Sequence, residues 1–252
     1  MRPGTPPHPS QPHSSRQPAA GRHRARAVLV GLMCAVLAAL GLAAAPAAAA
    51  ADAAPAADTS RPAPASTPIR GGDVLYTAGG WCAVSFNARG GARNYAAMPS
   101  GCGQVGTQWF ADSQQTVPVA VTVTTTPAYT LIRYTSSDFT YPPEINAGGT
   151  VITVNQVINP AVGQQVCRFG SSTGWLCGTV QALNQTVNYP QGTVYGLIRT
   201  TMCPDPYSRG AVLASGRLVG VVVGGSGSCI SGGTTFVLPA VQILSVHGLM
   251  LG

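Results

Sequence analysis

The 252-residue chain contains no lysine, and only 8% of its residues are charged. With 31 glycines and abundant Val, Thr and Ser, that scarcity argues against a helical cytosolic protein and for a compact, exported all-β one. Histidine is nearly absent too: beyond His23 the chain has one, His247. No C-x-x-C pair occurs and no histidine stands close to the cysteines at positions 82 to 229, which leaves no zinc-binding pattern. A basic cluster is also missing. The formal charge is +7, but Arg2, Arg16, Arg22, Arg24 and Arg26 lie in the first 26 residues. From residue 51 onward nine arginines face seven acids, a balance of +2, so no nucleic-acid partner is expected. No cofactor or metal is expected either.

Residues 1–26 are rich in Pro, His, Ser and Arg, show no hydrophobic period and read as disordered. Residues 27–50 run uncharged into small A-x-A residues. Together, 1–50 read as a secretory signal with a long basic n-region, hence a secreted protein. Left uncleaved, the apolar run is nearly long enough to span a bilayer, and a membrane location is expected only in that case. Residues 51–68 form an Ala/Pro-rich linker. Cys34 falls in the signal. The remaining six cysteines, Cys82, Cys102, Cys167, Cys177, Cys203 and Cys229, form an even set that reads as three disulfides, and spacing alone does not choose their pairing.

Beyond the linker, short β-type runs recur: 74–76, 82–87, 117–125, 130–134, 151–157, 165–169, 176–181 and 195–200. Alternation is clearest at Val117, Val119, Val121 and Val123, which predicts one shared face. Residues 211–213 and 218–223 flank Ser215-Gly216 and predict a tight hairpin between Cys203 and Cys229. Gly, Pro, Asn and Ser fill the gaps. This pattern predicts a sandwich or a barrel without deciding between them.

The stretch Cys203-Pro204-Asp205-Pro206-Tyr207-Ser208-Arg209-Gly210-Ala211-Val212-Leu213 resembles the C-x-E-P-G-D-S-G-G-P-L motif of the streptogrisin group of bacterial trypsin-like serine proteases. Ile69-Arg70-Gly71-Gly72-Asp73 is similar to that family's mature start. The likeness covers residues 69–252 and is strongest in 182–201 and 224–236. It implies two six-stranded antiparallel β-barrels (69–145 and 146–252) with a cleft between them. It also implies a C-terminal helix at about 240–249 on the outer surface of the second barrel, and the pairs Cys82–Cys102, Cys167–Cys177 and Cys203–Cys229. Residues 51–68 leave no room for the sizeable pro-domain that usually accompanies the family.

The same resemblance exposes missing chemistry. A protease of this kind needs a nucleophile, a base, a group that orients the base, and donors for the oxyanion. The nucleophile position holds Arg209, the histidine position of T-A-G-H-C holds Gly101, and the aspartate position holds Ala128. Tyr207 replaces the glycine that gives one oxyanion donor, and Ser208 replaces an aspartate. Val223 replaces a serine that hydrogen-bonds the family's aspartate, so two losses agree: without a buried carboxylate, a hydroxyl there lacks its partner. Val223-Gly224-Gly225 keeps the strand against which the family pairs substrate backbone, and residues 226–235 are expected to wall the specificity pocket. Arg209 is expected either to plug that pocket or to offer a carboxylate-binding group. The reading is a secreted, monomeric, non-catalytic protease homologue that holds a peptide or protein in its cleft. The alternative is an active endopeptidase with relocated catalytic residues.

Overall fold

The structure is a computed structural model and describes residues 66–205 and 210–252. The predicted signal, most of the linker, and Tyr207, Ser208 and Arg209 lie outside the described residues. In the first half the strands are β1 (Thr67–Pro68), β2 (Val74–Thr77), β3 (Gly80–Ala83), β4 (Phe86–Gly90), β5 (Arg93–Pro99), β6 (Gln108–Phe110), β7 (Pro118–Thr125), β8 (Tyr129–Tyr134) and β9 (Phe139–Thr140). A hairpin of β10 (Glu144–Ala147) and β11 (Thr150–Thr153) leads into the second half. There follow β12 (Gln165–Gly170), β13 (Gly174–Tyr189), β14 (Gly192–Thr200), β15 (Ala211–Ala214), β16 (Arg217–Ser228) and β17 (Gly232–Pro239). Helix α1 (Ala240–His247) and strand β18 (Met250–Leu251) end the chain.

The second half is a closed six-stranded barrel in the order β12-β13-β14-β17-β16-β15. The first half is barrel-like but differs from the expected six strands: its sheet has eight, in the order β18-β4-β5-β8-β7-β6-β2-β3. The extra edge strand comes from the far end of the chain, where Met250 and Leu251 pair with Arg89 and Ala88. Residues 82–87, read as one strand, divide into β3 and β4 because the chain changes partner there. Val84 N–H donates to Asp73 O on one side and Ser85 N–H to Ala97 O on the other. The four valines at 117–123, three of them in β7, do not share one exposure either. Val119 is buried and Val117 exposed, while Ala120 and Thr122 are buried on the opposite phase. The strand lies between the barrel interior, where the Trp109 indole N–H donates to Thr122 Oγ1 at 2.9 Å, and the inter-barrel layer that Val123 joins. The 215–216 hairpin forms as read, with both turn residues at positive φ as a type I′ turn requires.

Each barrel has its own apolar interior. Trp109, Met98 and Ile132 fill the first; Val166, Ile198, Met202 and Val237 fill the second. A third cluster joins them and contains Phe86, Ala97, Tyr129 and Leu131 from the first half and Leu197, Leu218, Val221 and Leu238 from the second. Each fully buried Leu or Phe in such a layer contributes about 1.5–3 kcal/mol. All three disulfides that the resemblance implies are formed.

Helix α1 stops two residues short of the expected end, because Gly248 takes the left-handed C-cap and frees the chain to pair as β18. Nor does the helix sit apart on the second barrel. Ala240, Ile243 and Leu244 enter the inter-barrel cluster, and His247 Nε2 shares a 2.8 Å hydrogen bond with Tyr129 Oη of β8. Burial holds His247 below its ordinary value of 6.5 and raises Tyr129 above 10.0. The folded protein therefore favours the neutral imidazole, while the unfolded chain takes up the proton first as pH falls. The stability this contributes is complete above pH 6.5 and is lost as pH drops from there through the folded pKa. The His247 ring is expected to titrate below 6.5 by NMR, and His247→Gln to remove the part of the acid sensitivity that lies just under that value. A His247 that titrates at or above 6.5 contradicts this.

Candidate functional site

The cleft between the barrels is a cavity of ≈ 640 Å³. Its first-barrel wall includes Ser100, Gly101, Thr126 and Pro127; its second-barrel wall includes Tyr189 and Val223-Gly224-Gly225. The structure thus brings Gly101 together with the predicted peptide-binding strand. Gly101 sits at φ +84°, and a Cβ there would meet nothing within 4 Å, so the place expected for a base is open space. Ala128 is turned inward, 4% exposed, in the apolar inter-barrel cluster, and Val223 is equally buried in the same cluster. No histidine, carboxylate or arginine is among the described residues that line the cleft. Its Thr126 hydroxyl is fully engaged: it donates to Tyr129 O and accepts from the Ala128 and Tyr129 N–H groups. The imidazole of the C-terminal helix is bonded to Tyr129 and is not part of the lining.

Strand β16 pairs with β15 only as far as Val221. From Val223 to Gly227 the described pairing is on one side alone, with β17, and a bulge at Val223 interrupts that ladder. Close packing dictates the glycines. A Cβ on Gly225 would lie 2.4 Å from Thr234 O and 2.9 Å from Pro204, and one on Gly224 would lie 3.0 Å from the Tyr189 ring. Tyr189, at the end of the long β13 hairpin, therefore packs directly over the strand.

Behind that strand lies a smaller cavity of ≈ 230 Å³. Pro204, Asp205, Val222, Gly224, Gly225, Gly227 and Thr235 line it, so its walls draw on the 203–205 segment as well as on part of the expected 226–235 stretch. Asp205 accepts a 3.2 Å hydrogen bond from Thr173 Oγ1. Beside it Arg168, fully buried, donates to Cys203 O at 3.1 Å. Burial lowers the Arg168 pKa and the Asp205 charge opposes that drop. Sequence reasoning passed over Arg168 and Tyr189. For Arg168 the signal was present: it shares the two-residue phase of Val166 and Gly170, the buried face of β12. Among the described residues no group of three or more His, Cys, Asp or Glu side chains gathers into a metal site, and no helix is long and apolar enough to cross a membrane.

Two β-barrels with a polar cleft between them define a chymotrypsin-like protease fold. The chain belongs to the streptogrisin-like serine protease family. It is 40% identical over 186 residues to Streptogrisin-C of Streptomyces griseus, which covers 73% of this chain and 41% of that protein. It is 37% identical over 174 residues to Serine protease 2 of Streptomyces fradiae, which covers 66% of this chain and 100% of that one. Among solved structures, the alpha-lytic protease homolog N4 superimposes with a TM-score of 0.67 at 42% identity, over 74% of this chain and all of its own. The chain spans less than half the length of Streptogrisin-C. No family model matches it.

Ala128 and Val223 are both buried in the apolar inter-barrel cluster. Ala128→Asp is expected to destabilise the fold by about 2–4 kcal/mol, since it buries a carboxylate without a donor. Val223→Ser added to it is expected to recover about 1 kcal/mol through a new hydrogen bond. Urea unfolding of the two single variants and the double variant measures this coupling, and a neutral Ala128→Asp contradicts it.

Proposed function

We propose that the chain is a secreted, non-catalytic serine protease homologue that holds an extended segment of a protein partner in its inter-barrel cleft without cleaving it. The observation that carries this reading is the cleft lining, in which no described group can act as a base toward a hydroxyl. Gly101 and Ala128 stand where the family's motifs have histidine and aspartate, and Arg209 stands in sequence where they have serine. An unactivated hydroxyl is a poor nucleophile at neutral pH. Removal of triad members costs up to about 2 × 10⁶ in rate in a protease of another fold. The binding surface is supported separately: the one-sided pairing of β16 from Val223 to Gly227 leaves backbone groups for an added strand. The described lining is uncharged and suits a ligand whose side chains at the cleft are uncharged. Three disulfides suit an oxidising, extracellular setting.

The test pairs turnover with binding. Purified protein incubated with casein or with a chromogenic peptide anilide is expected to release no product above buffer. An extended uncharged hexapeptide is expected to shift the amide resonances of Val223, Gly224 and Gly225 saturably. Product release linear in time and enzyme concentration assigns an active endopeptidase and overturns the reading; unmoved amides overturn its binding half.

A further inference from the structure

The chain has three tryptophans, and their placement is uneven. Trp109 is fully buried and hydrogen-bonded in the first barrel. Trp81 is 62% exposed and Trp175 46% exposed, and both line one groove of ≈ 350 Å³ at a different place from the cleft described above. Trp81 comes from β3 and Trp175 from β13, so each barrel contributes one. Phe169 supports Trp175 edge-to-face, with ring centroids 5.7 Å apart. Its own seat depends on Gly148, where a Cβ would lie 2.6 Å from the Phe169 ring. Val74, Ile145 and Leu213 complete the apolar surface.

The groove's polar chemistry is one-sided. Among the described residues, no charged side chain lines it. Asn146 is on the rim, but its amide is already committed: Nδ2 donates to Asp73 Oδ1 and Oδ1 accepts from Gly149 N–H. Among the described residues no hydrogen bond engages the indole N–H of Trp81 or Trp175. The described lining therefore offers flat aromatic faces and two indole donors, with the Ser171 hydroxyl as its one uncommitted side-chain acceptor. A saccharide needs several acceptors for its hydroxyls and is poorly matched. A proline-rich polypeptide fits, because proline has no N–H to satisfy, and an extended left-handed helix presents bare carbonyls and apolar rings. It also arrives already ordered, so little conformational entropy is lost on docking.

We infer that the Trp81–Trp175 groove is a docking site for a proline-rich extended segment of a partner protein. The inference is independent of whether the main cleft is catalytic.

The test titrates the full chain with an alternating alanine-proline decapeptide, followed by tryptophan fluorescence and calorimetry. Controls are the same peptide with glycine for proline, and a linear oligosaccharide. Saturable binding of the proline peptide alone is expected, weakened roughly tenfold or more by Trp81→Ala and by Trp175→Ala. Both positions are exposed, and Trp81→Phe and Trp175→Phe, which keep an aromatic face, are expected to retain part of the affinity. Equal binding of the glycine peptide, binding of the oligosaccharide instead, or alanine variants that bind as the parent does would each overturn the proposal. So would self-association of the unliganded chain in sedimentation that Trp81→Ala abolishes, because the groove would then belong to a second copy.

Discussion

The two barrels meet through an apolar layer, and the layout of the molecule depends on it. Phe86, Ala97 and Leu131 on one side face Leu197, Leu218 and Leu238 on the other, with Ile243 of the C-terminal helix between. Ala128 and Val223 belong to this layer. A carboxylate at residue 128 needs donors that taking charge out of water makes obligatory; methyl groups need only neighbours. The layer can thus be dry and non-directional. Among the described residues Arg168 is the one charged side chain in the buried set, and it sits in the second barrel against Cys203 O, away from this contact.

The end of the chain ties that layer down. Pro239 leads into α1, the left-handed Gly248 ends it, and Met250-Leu251 cross to the edge of the first barrel's sheet. One short segment therefore packs on the second barrel and hydrogen-bonds to the first through His247 and through β18. The histidine beyond residue 23, which chemistry would seek first as a base, is hydrogen-bonded to Tyr129 instead.

Much of this was legible in the residues. The I′ hairpin at Ser215-Gly216 and the core of β12 follow from turn chemistry and β-branched runs. The disulfide pairing and the two-barrel layout came from family motifs, not from periodicity. What escaped did so for physical reasons. Strand β5, RNYAAMP, has no β-branched residue, and tertiary pairing with β4 and β8 makes it a strand. Strand β13 runs sixteen residues, but Asn184 at positive φ and register shifts against β14 switch its inward phase between Ala182 and Gln185, so no single two-residue period runs its length. At the candidate site, family motifs pointed to residues 101, 128 and 223, and the structure puts Gly101 and Val223 on the cleft and Ala128 in the apolar layer. The Tyr189 lid over Gly224 and the Arg168–Asp205 neighbourhood were not legible in this way, because they join segments distant in sequence.

No serine of this chain is expected to be activated as a nucleophile. Intact-protein mass spectrometry after exposure to a fluorophosphonate at mildly alkaline pH tests it most directly, because such reagents trap activated serines whatever the substrate preference. An unmodified mass is expected. A stoichiometric phosphonyl adduct mapped to one serine would contradict it.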